Sequence, residues 1–209
     1  GFDAKFIKGL DVDLATIVAP RKARIAPLLD GSADGVLDYQ NFSLIMDKKR
    51  AFAMITATNI DGVSYLAIDR KTGQVGEGEG ETWYKDRRIS EDLYVGQDFY
   101  SNWSHKFDRG HLTRRNDPTW GSEEEAERAN ADTFHFTNCT PQHFRFNQST
   151  RFWQGVERYV LEKGILEEGR VAKRITVLQG PVLDDANDLW AKNDEVQIPL
   201  QFWKVVVWK

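Results

Sequence analysis

Cysteine is almost missing from this chain: Cys139 is the only one in 209 residues. A single thiol can form neither an internal disulfide nor a cysteine-rich zinc cage, so packing alone has to hold the fold. Long apolar runs are missing too, none approaching the roughly 18 residues that a membrane span needs. The opening segment, Gly1 to Lys8, lacks the basic head, apolar run and small-residue cleavage site of a targeting signal. Secreted, periplasmic and cytoplasmic settings all stay open. Nor is there an excess of positive charge. Lys and Arg number 28 against 32 Asp and Glu, a net charge of -4, which argues against a non-specific cationic coat.

What the chain has in quantity is apolar surface to bury. Hydrophobic residues make up 41% and aromatics 12%, which places it among globular proteins with a sizeable core. The length fits one ordinary domain, or one core with an appended arm. Charge is unevenly placed. His105, Lys106, Arg109, Arg114 and Arg115 crowd together, while acids gather in Glu123-Glu124-Glu125, in Asp184-Asp185 and in Asp194-Glu195.

Patterning points to an α+β domain with a central, mostly antiparallel sheet flanked by helices. Residues 1–40 are expected as an arm packed on the core, and 41–209 as the domain proper. Asp11 to Val18 reads as a short strand or arm segment, with Pro20 and Pro27 breaking any helix. Gly31 to Gly35 reads as a turn. Ala51 to Thr58 is an uncharged, strand-length run. Asn59-Ile60-Asp61-Gly62 should turn it back into a returning strand over Val63 to Ile68, making a hairpin. Lys71-Thr72-Gly73 is another turn, and Gly76 to Gly80 alternates Gly with Glu as an exposed stretch. Trp83 to Tyr100 reads as an irregular surface segment. Ser122 with Glu125 is a capping box that opens a helix through about Asn130. Thr133 to Thr137 is a short strand. Arg145 to Lys163 is a helix carrying Phe152, Trp153, Val156, Tyr159 and Val160 on one face, with Gly164 as its stop. Arg174 to Gln179 and Val196 to Trp208 complete the strands, and an ending on a strand suggests a fragment of a longer protein.

The polar residues between His105 and Glu157 carry the chemistry. A histidine near its unperturbed pKa of about 6.5 is the natural general base for activating water, and His111 is the first candidate. Asn147, near the start of the expected helix, offers a hard amide oxygen suited to Mg²⁺, which keeps several waters and uses few protein ligands. Glu157 lies about 2.8 helical turns further on, on an adjacent face unless a local bulge brings the two together. Arg109 can hold a phosphate by paired hydrogen bonds, and Asp108 beside it can instead make a structural ion pair. Asn138 can orient the base or satisfy backbone groups, and Gly110 permits close approach before the histidine. Gathered like this, the residues suggest metal-assisted attack on a phosphodiester.

The run Asp108-Arg109-Gly110-His111 resembles the DRGH motif of the DNA/RNA non-specific endonucleases, the ββα-metal nucleases. Thr137-Asn138-Cys139-Thr140-Pro141-Gln142, then Phe146-Asn147-Gln148, then Trp153 and Glu157 recur in that family's order. A looser likeness extends through Trp83 to Asp86, Gln179 to Val182 and Phe202 to Val205. The resemblance implies a ββα-metal core and Mg²⁺-dependent cleavage of DNA and/or RNA, with Mn²⁺ able to substitute. It further implies His111 as general base, Asn147 as the one direct metal ligand, and Glu157 acting on the metal through water. Asn138 would support the site, and Arg109 would contact phosphate. Asp108, Arg114, Arg115 and Gln148 join the substrate-binding set. The family also uses an arginine upstream of the motif, for which both Arg87 and Arg88 are candidates. A monomer and a homodimer are equally compatible with these residues.

Three rival readings compete with this one. A zinc site from His105, His111, His135 and His143 matches no helical ligand spacing. A serine hydrolase would need a Gly-x-Ser-x-Gly elbow, which is absent. A nuclease-like domain that binds nucleic acid or a protein partner without cutting has no need to retain His111, Asn147 and Glu157 together.

Overall fold

The computed structural model describes residues 1–69, 82–149, 151, 153–165, 174–191 and 196–209. In chain order its elements are α1 (Leu14–Val18), β1 (Val36–Tyr39), β2 (Phe42–Asp47), β3 (Phe52–Asp61), α2 (Gln97–Asn102), β4 (Phe107–His111), α3 (Glu123–Asp132), β5 (Cys139–His143), α4 (Phe144–Asn147), α5 (Trp153–Arg158), β6 (Arg174–Val182), β7 (Leu189–Trp190), β8 (Gln197–Ile198) and β9 (Gln201–Val207). A five-stranded sheet in the order β1-β2-β3-β6-β9 forms the centre, and every neighbouring pair is antiparallel. β4 and β5 form a separate two-stranded ribbon, as do β7 and β8. The class is α+β with a central antiparallel sheet, as the patterning suggested.

Alternation along the strands sorts side chains onto two faces. On β2, Phe42, Leu44 and Met46 join the larger core, which includes Phe99, Tyr100, Leu112, Phe136 and Cys139. Ile45 points the other way, into a second core where Leu14 and Val18 of α1 cover Ile55, Ala57 and Leu178. A third group, Ile60, Leu161, Ile165, Ile175 and Val177, seats the end of the long helical region on the sheet. Because both faces are covered, all of β2 and β3 is buried. The ββα layer therefore rests on a stiff floor.

Several local expectations change. β3 has no returning partner at Val63 to Ile68; it pairs with β2 and with β6. The residues read as its turn continue the strand, because their polar side chains find partners there: Asn59 donates to Thr176 and Asp61 accepts from Arg174. The following segment instead bridges to residues 119–121, with Leu66 N–H bonded to Thr119. Asp11 to Val18 contains a helix rather than a strand, because the Asp13 carboxylate accepts from the Ala15 and Thr16 amides and caps α1. Trp83 to Tyr100 is not a surface segment throughout: Ile89, Tyr94, Val95, Phe99 and Tyr100 are buried, and α2 lies at its end. The strand read at Thr133 to Thr137 begins at Cys139, after a 3₁₀ turn over Phe136–Asn138.

The region Arg145 to Lys163 is not one helix. α4 ends at Asn147, α5 starts at Trp153, and a π-helical turn runs over Tyr159–Lys163. Trp153 is buried and Val160 half-buried as expected of that face, but Val156 and Tyr159 are 47% and 65% exposed. The strand from Val196 divides into β8 and β9. The capping box stands, with Ser122 and Glu125 bonded reciprocally, and Gly31 and Gly35 take positive φ in their turn. The turn at Lys71-Thr72-Gly73, the Gly76–Gly80 stretch, Phe152 and Asp194-Glu195 lie outside the described residues. No helix among the described residues is long and apolar enough to cross a membrane.

Candidate active site

The ribbon sets the geometry. β4 and β5 pair His111 with Cys139, Gly110 with Thr140, Arg109 with Pro141, Asp108 with Gln142 and Phe107 with His143. α4 follows β5 without a break, giving a strand–strand–helix unit. Gly110 is required by packing, since a Cβ there would lie 2.3 Å from the Gln142 side chain. The alternation puts Phe107, Arg109 and His111 on one face of β4. The His111 ring sits 4.8 Å from Trp83 and 4.8 Å, edge-on, from Phe134.

A polar cavity of about 650 Å³ opens in front of this ribbon. Eight residues singled out from the sequence line it: Asp108, Arg109, His111, Arg114, Arg115, Asn147, Gln148 and Glu157. Asp108 makes no ion pair with Arg109. One of its carboxylate oxygens instead accepts from the amide groups of Asn147, at 3.0 Å, and Gln148, at 2.9 Å. That contact fixes which end of the Asn147 amide is the nitrogen. The amide oxygen has no hydrogen-bond partner among the described residues and is left available to a cation. Arg109 donates to Gln97 and stacks over Trp83. The break between α4 and α5 removes the problem of helical phase: Asn147 and Glu157 reach one cavity from two separate short helices. Phe146, Trp153 and Phe202 pack together, with ring centroids 5.6 to 5.7 Å apart, and clamp both helices to β9.

Behind the cavity lies a charged group not recognised from sequence as a unit. Glu157 is buried, and its carboxylate is 3.8 Å from the ammonium of Lys204, whose side chain is only 4% exposed. Asp117, also buried, is 3.9 Å from Arg114. Burial pushes the Glu157 carboxyl up to about 7, against the attraction of Lys204. Burial raises Asp117 as well. Lys204 stands in register with Gln179, and Gln179 with Thr56, so a polar row crosses β9, β6 and β3 on the side that faces the ribbon. The one sequence signal was a lysine interrupting the Val- and aromatic-rich run of β9. Trp83, Asn116 and Gln154 also line the cavity and carry no comparable signal.

Other candidates fall elsewhere. Asn138 is fully buried behind the cavity, where its amide bonds the backbone of Thr113 at both ends and the carbonyl of Thr133. It pins the chain that leaves His111 and does not reach the cavity itself. Arg115 lines the cavity, but its guanidinium is engaged by Asn130 and by the carbonyl of Ile68. Arg88 is committed to Asp86 by two hydrogen bonds and lies over the Tyr39 ring. Arg87 is exposed and lines a neighbouring hollow of about 1100 Å³ behind Trp83, which contains none of His111, Asn147 and Glu157. The four histidines sit apart: His105 against Trp103, His111 against Trp83, His135 against Tyr39 and His143 on Phe144. Among the described residues no three His, Cys, Asp or Glu side chains come together to hold a metal.

A two-stranded ribbon that runs directly into a helix, set beside a central antiparallel sheet, is consistent with the ββα-metal nuclease fold. The comparison with known families agrees: residues 22–209 match the family described as DNA/RNA non-specific endonuclease, and the chain belongs to that family. The resemblance carried by the stretch from Asp108 to Glu157 thus extends over nearly the whole chain. A relative, the uncharacterized protein y4fB of Sinorhizobium fredii, is 38% identical over 186 residues. The match takes in 84% of this chain and spans only 25% of that protein's length.

Proposed function

We propose that this domain is a metal-dependent endonuclease that hydrolyses phosphodiester bonds in DNA and/or RNA with little regard to sequence. The observation that carries the reading is the convergence of His111, Asn147, Glu157 and Arg109 on one polar cavity built on a ββα unit. Oxygen donors and the free amide oxygen of Asn147 suit Mg²⁺, or Mn²⁺ in its place, better than a softer metal. Asn147 would hold the cation directly, and Glu157 would act on the cation through water. The cation, when bound, neutralises charge on the phosphoryl oxygens and on the leaving oxygen.

The chain's own groups do the rest. His111 takes a proton from a water as its oxygen bonds to phosphorus and the bond to the leaving oxygen breaks. Arg109, held by Gln97 and Trp83, presents its guanidinium to a phosphate. Asp108 orients the Asn147 amide, and Asn138 steadies the segment after His111. Of the two upstream arginines, Arg87 has its guanidinium available for substrate, whereas Arg88 is used by Asp86. Contacts to phosphate carry no base information, which is why little sequence preference is expected.

Supercoiled plasmid incubated with the protein should be nicked in Mg²⁺ and left intact in EDTA. His111→Ala should lose cleavage by about 10²- to 10⁴-fold and keep its metal affinity, while Asn147→Ala should weaken the metal titration itself. Absence of EDTA-sensitive nicking at high protein concentration would overturn the reading in favour of a domain that binds without cutting.

A further inference from the structure

The outer end of the ribbon carries an exposed surface that the cavity does not explain. There the chain of ring contacts is continuous: Trp103 packs on His105 at 5.8 Å and on Phe107 at 6.1 Å, Phe107 meets His143 at 6.3 Å, and His143 stacks on Phe144 at 4.7 Å. Two cations cover the ends of this row. The Lys106 ammonium lies 5.5 Å from the Trp103 ring, and the Arg145 guanidinium 5.7 Å from the Phe144 ring. Both side chains are exposed, and neither makes an ion pair among the described residues. Phe144 itself is 38% exposed. On a molecule of net charge -4 this is an unusual place to leave positive charge uncompensated.

The row is also aligned with the cavity. Phe107, Arg109 and His111 occupy alternate positions on one face of β4, so each step toward His111 covers about 7 Å. We propose that this surface is a docking track for a single-stranded segment of nucleic acid, whose next phosphates run on past Arg109 to the cavity. The track rests on the nuclease reading above. Cations on one line attract the backbone, and the exposed rings of His105, His143 and Phe144, backed by the half-buried Trp103 and Phe107, offer stacking faces to bases; together these are the two parts of a sequence-tolerant single-strand site. A paired duplex keeps its bases stacked inward and can use only the charges, so the rings select an unpaired strand.

The test measures binding in EDTA, by fluorescence anisotropy with a labelled single-stranded deoxyoligonucleotide, an abasic oligomer of the same length and a duplex. The wild-type chain should bind the base-bearing strand more tightly than the abasic one. Phe144→Ala should remove most of that preference, weakening the base-bearing strand by about fivefold or more and sparing the abasic oligomer. The double variant Lys106→Ala/Arg145→Ala should weaken all three and reduce the slope of log K against log salt by about 1.4 on single strands. All three side chains are exposed, so the variants should fold, and Arg145→Glu provides a second variant with a stronger effect of the same sign. Unchanged affinity and slope in every variant would overturn the track. Equal losses by Phe144→Ala on base-bearing and abasic strands would overturn the stacking role. Hydrolysis of bis(4-nitrophenyl) phosphate by the wild-type chain in Mg²⁺, which needs no track, reports separately on the nuclease reading.

Discussion

Two groups of charged side chains sit against the same sheet and are built in opposite ways. Near the turn between β2 and β3, Lys49 reaches Asp185 at 2.6 Å, and Arg50 reaches both Asp188 and the carbonyl of Gln197 at 2.7 Å. The second oxygen of Asp188 accepts from the Leu200 amide. Contacts are short, and the Lys49 hydrogen bond with its neighbouring cations holds the Asp185 carboxyl down at about 2. In the group formed by Glu157, Lys204, Asp117 and Arg114, the closest opposite charges are 3.8 to 3.9 Å apart. One oxygen of Glu157 and the Lys204 ammonium are buried without a hydrogen bond, and burial raises the carboxyl rather than lowering it. In the first group both terminal nitrogens of Arg50 and both oxygens of Asp188 are used by the fold, although Arg50 Nε is buried without a hydrogen bond. The second retains capacity, which is costly in a protein interior unless another partner is to be served.

That contrast can be broken by removing one member from each. Asp188→Ala should cost about 3 kcal/mol in urea unfolding, because Arg50 loses its buried carboxylate partner and keeps only the half-exposed Asp185 at 3.3 Å. Lys204→Met should cost less, about 1 kcal/mol, because the stem volume is kept and Glu157 can take up a proton. The same substitution should weaken Mn²⁺ binding by about tenfold, as loss of an outer partner of a metal site does. Equal stability losses from the two variants, with metal binding unchanged, would mean that the second group is also a structural staple.

A further expected effect is on pH dependence, where the two groups have opposite signs. Glu157, raised in the folded state to about 7, binds its proton more tightly there than in the unfolded chain, where it titrates near 4.3. Its contribution to stability is fully present below pH 4.3 and is lost as pH rises through 7. Asp185 is depressed, so its contribution is present above the ordinary carboxylate range and is lost as pH falls toward 2. Melting temperature followed from pH 4 to 8 should therefore decline more steeply in the metal-free wild type than in Glu157→Gln. Parallel profiles would remove the raised carboxyl.

The sequence carried the site further than it carried the fold. Asp108 to His111 and Phe146 to Gln148 are local runs whose residue types state their chemistry, and they do meet in one cavity. The partners that make the cavity polar underneath come from elsewhere: Lys204 from β9, Asp117 from the segment after the ribbon's first strand. Only the register of β3, β6 and β9 brings that strip under Glu157, and register is a long-range property. The misread hairpin has a similar cause. Asn59 and Asp61 look like turn residues locally, but tertiary partners satisfy them inside a strand. The helix from Arg145 was overextended for the opposite reason, because apolar spacing continued across a break at Gln148 that no Gly or Pro announces. Of Arg87 and Arg88, adjacent in sequence, only the three-dimensional position of Asp86 tells which is occupied.

The aromatic clamp of Phe146, Trp153 and Phe202 has a bearing on biosynthesis. Phe202 and Lys204 lie on β9, far downstream of His111, Asn147 and Glu157, and chains are made from the N-terminus. While a ribosome is still extending the chain toward β9, the helices that carry Asn147 and Glu157 lack the Phe202 ring on which Phe146 and Trp153 pack. The proposed site would therefore be completed only after β9 has been made and Phe202 has closed on Phe146 and Trp153.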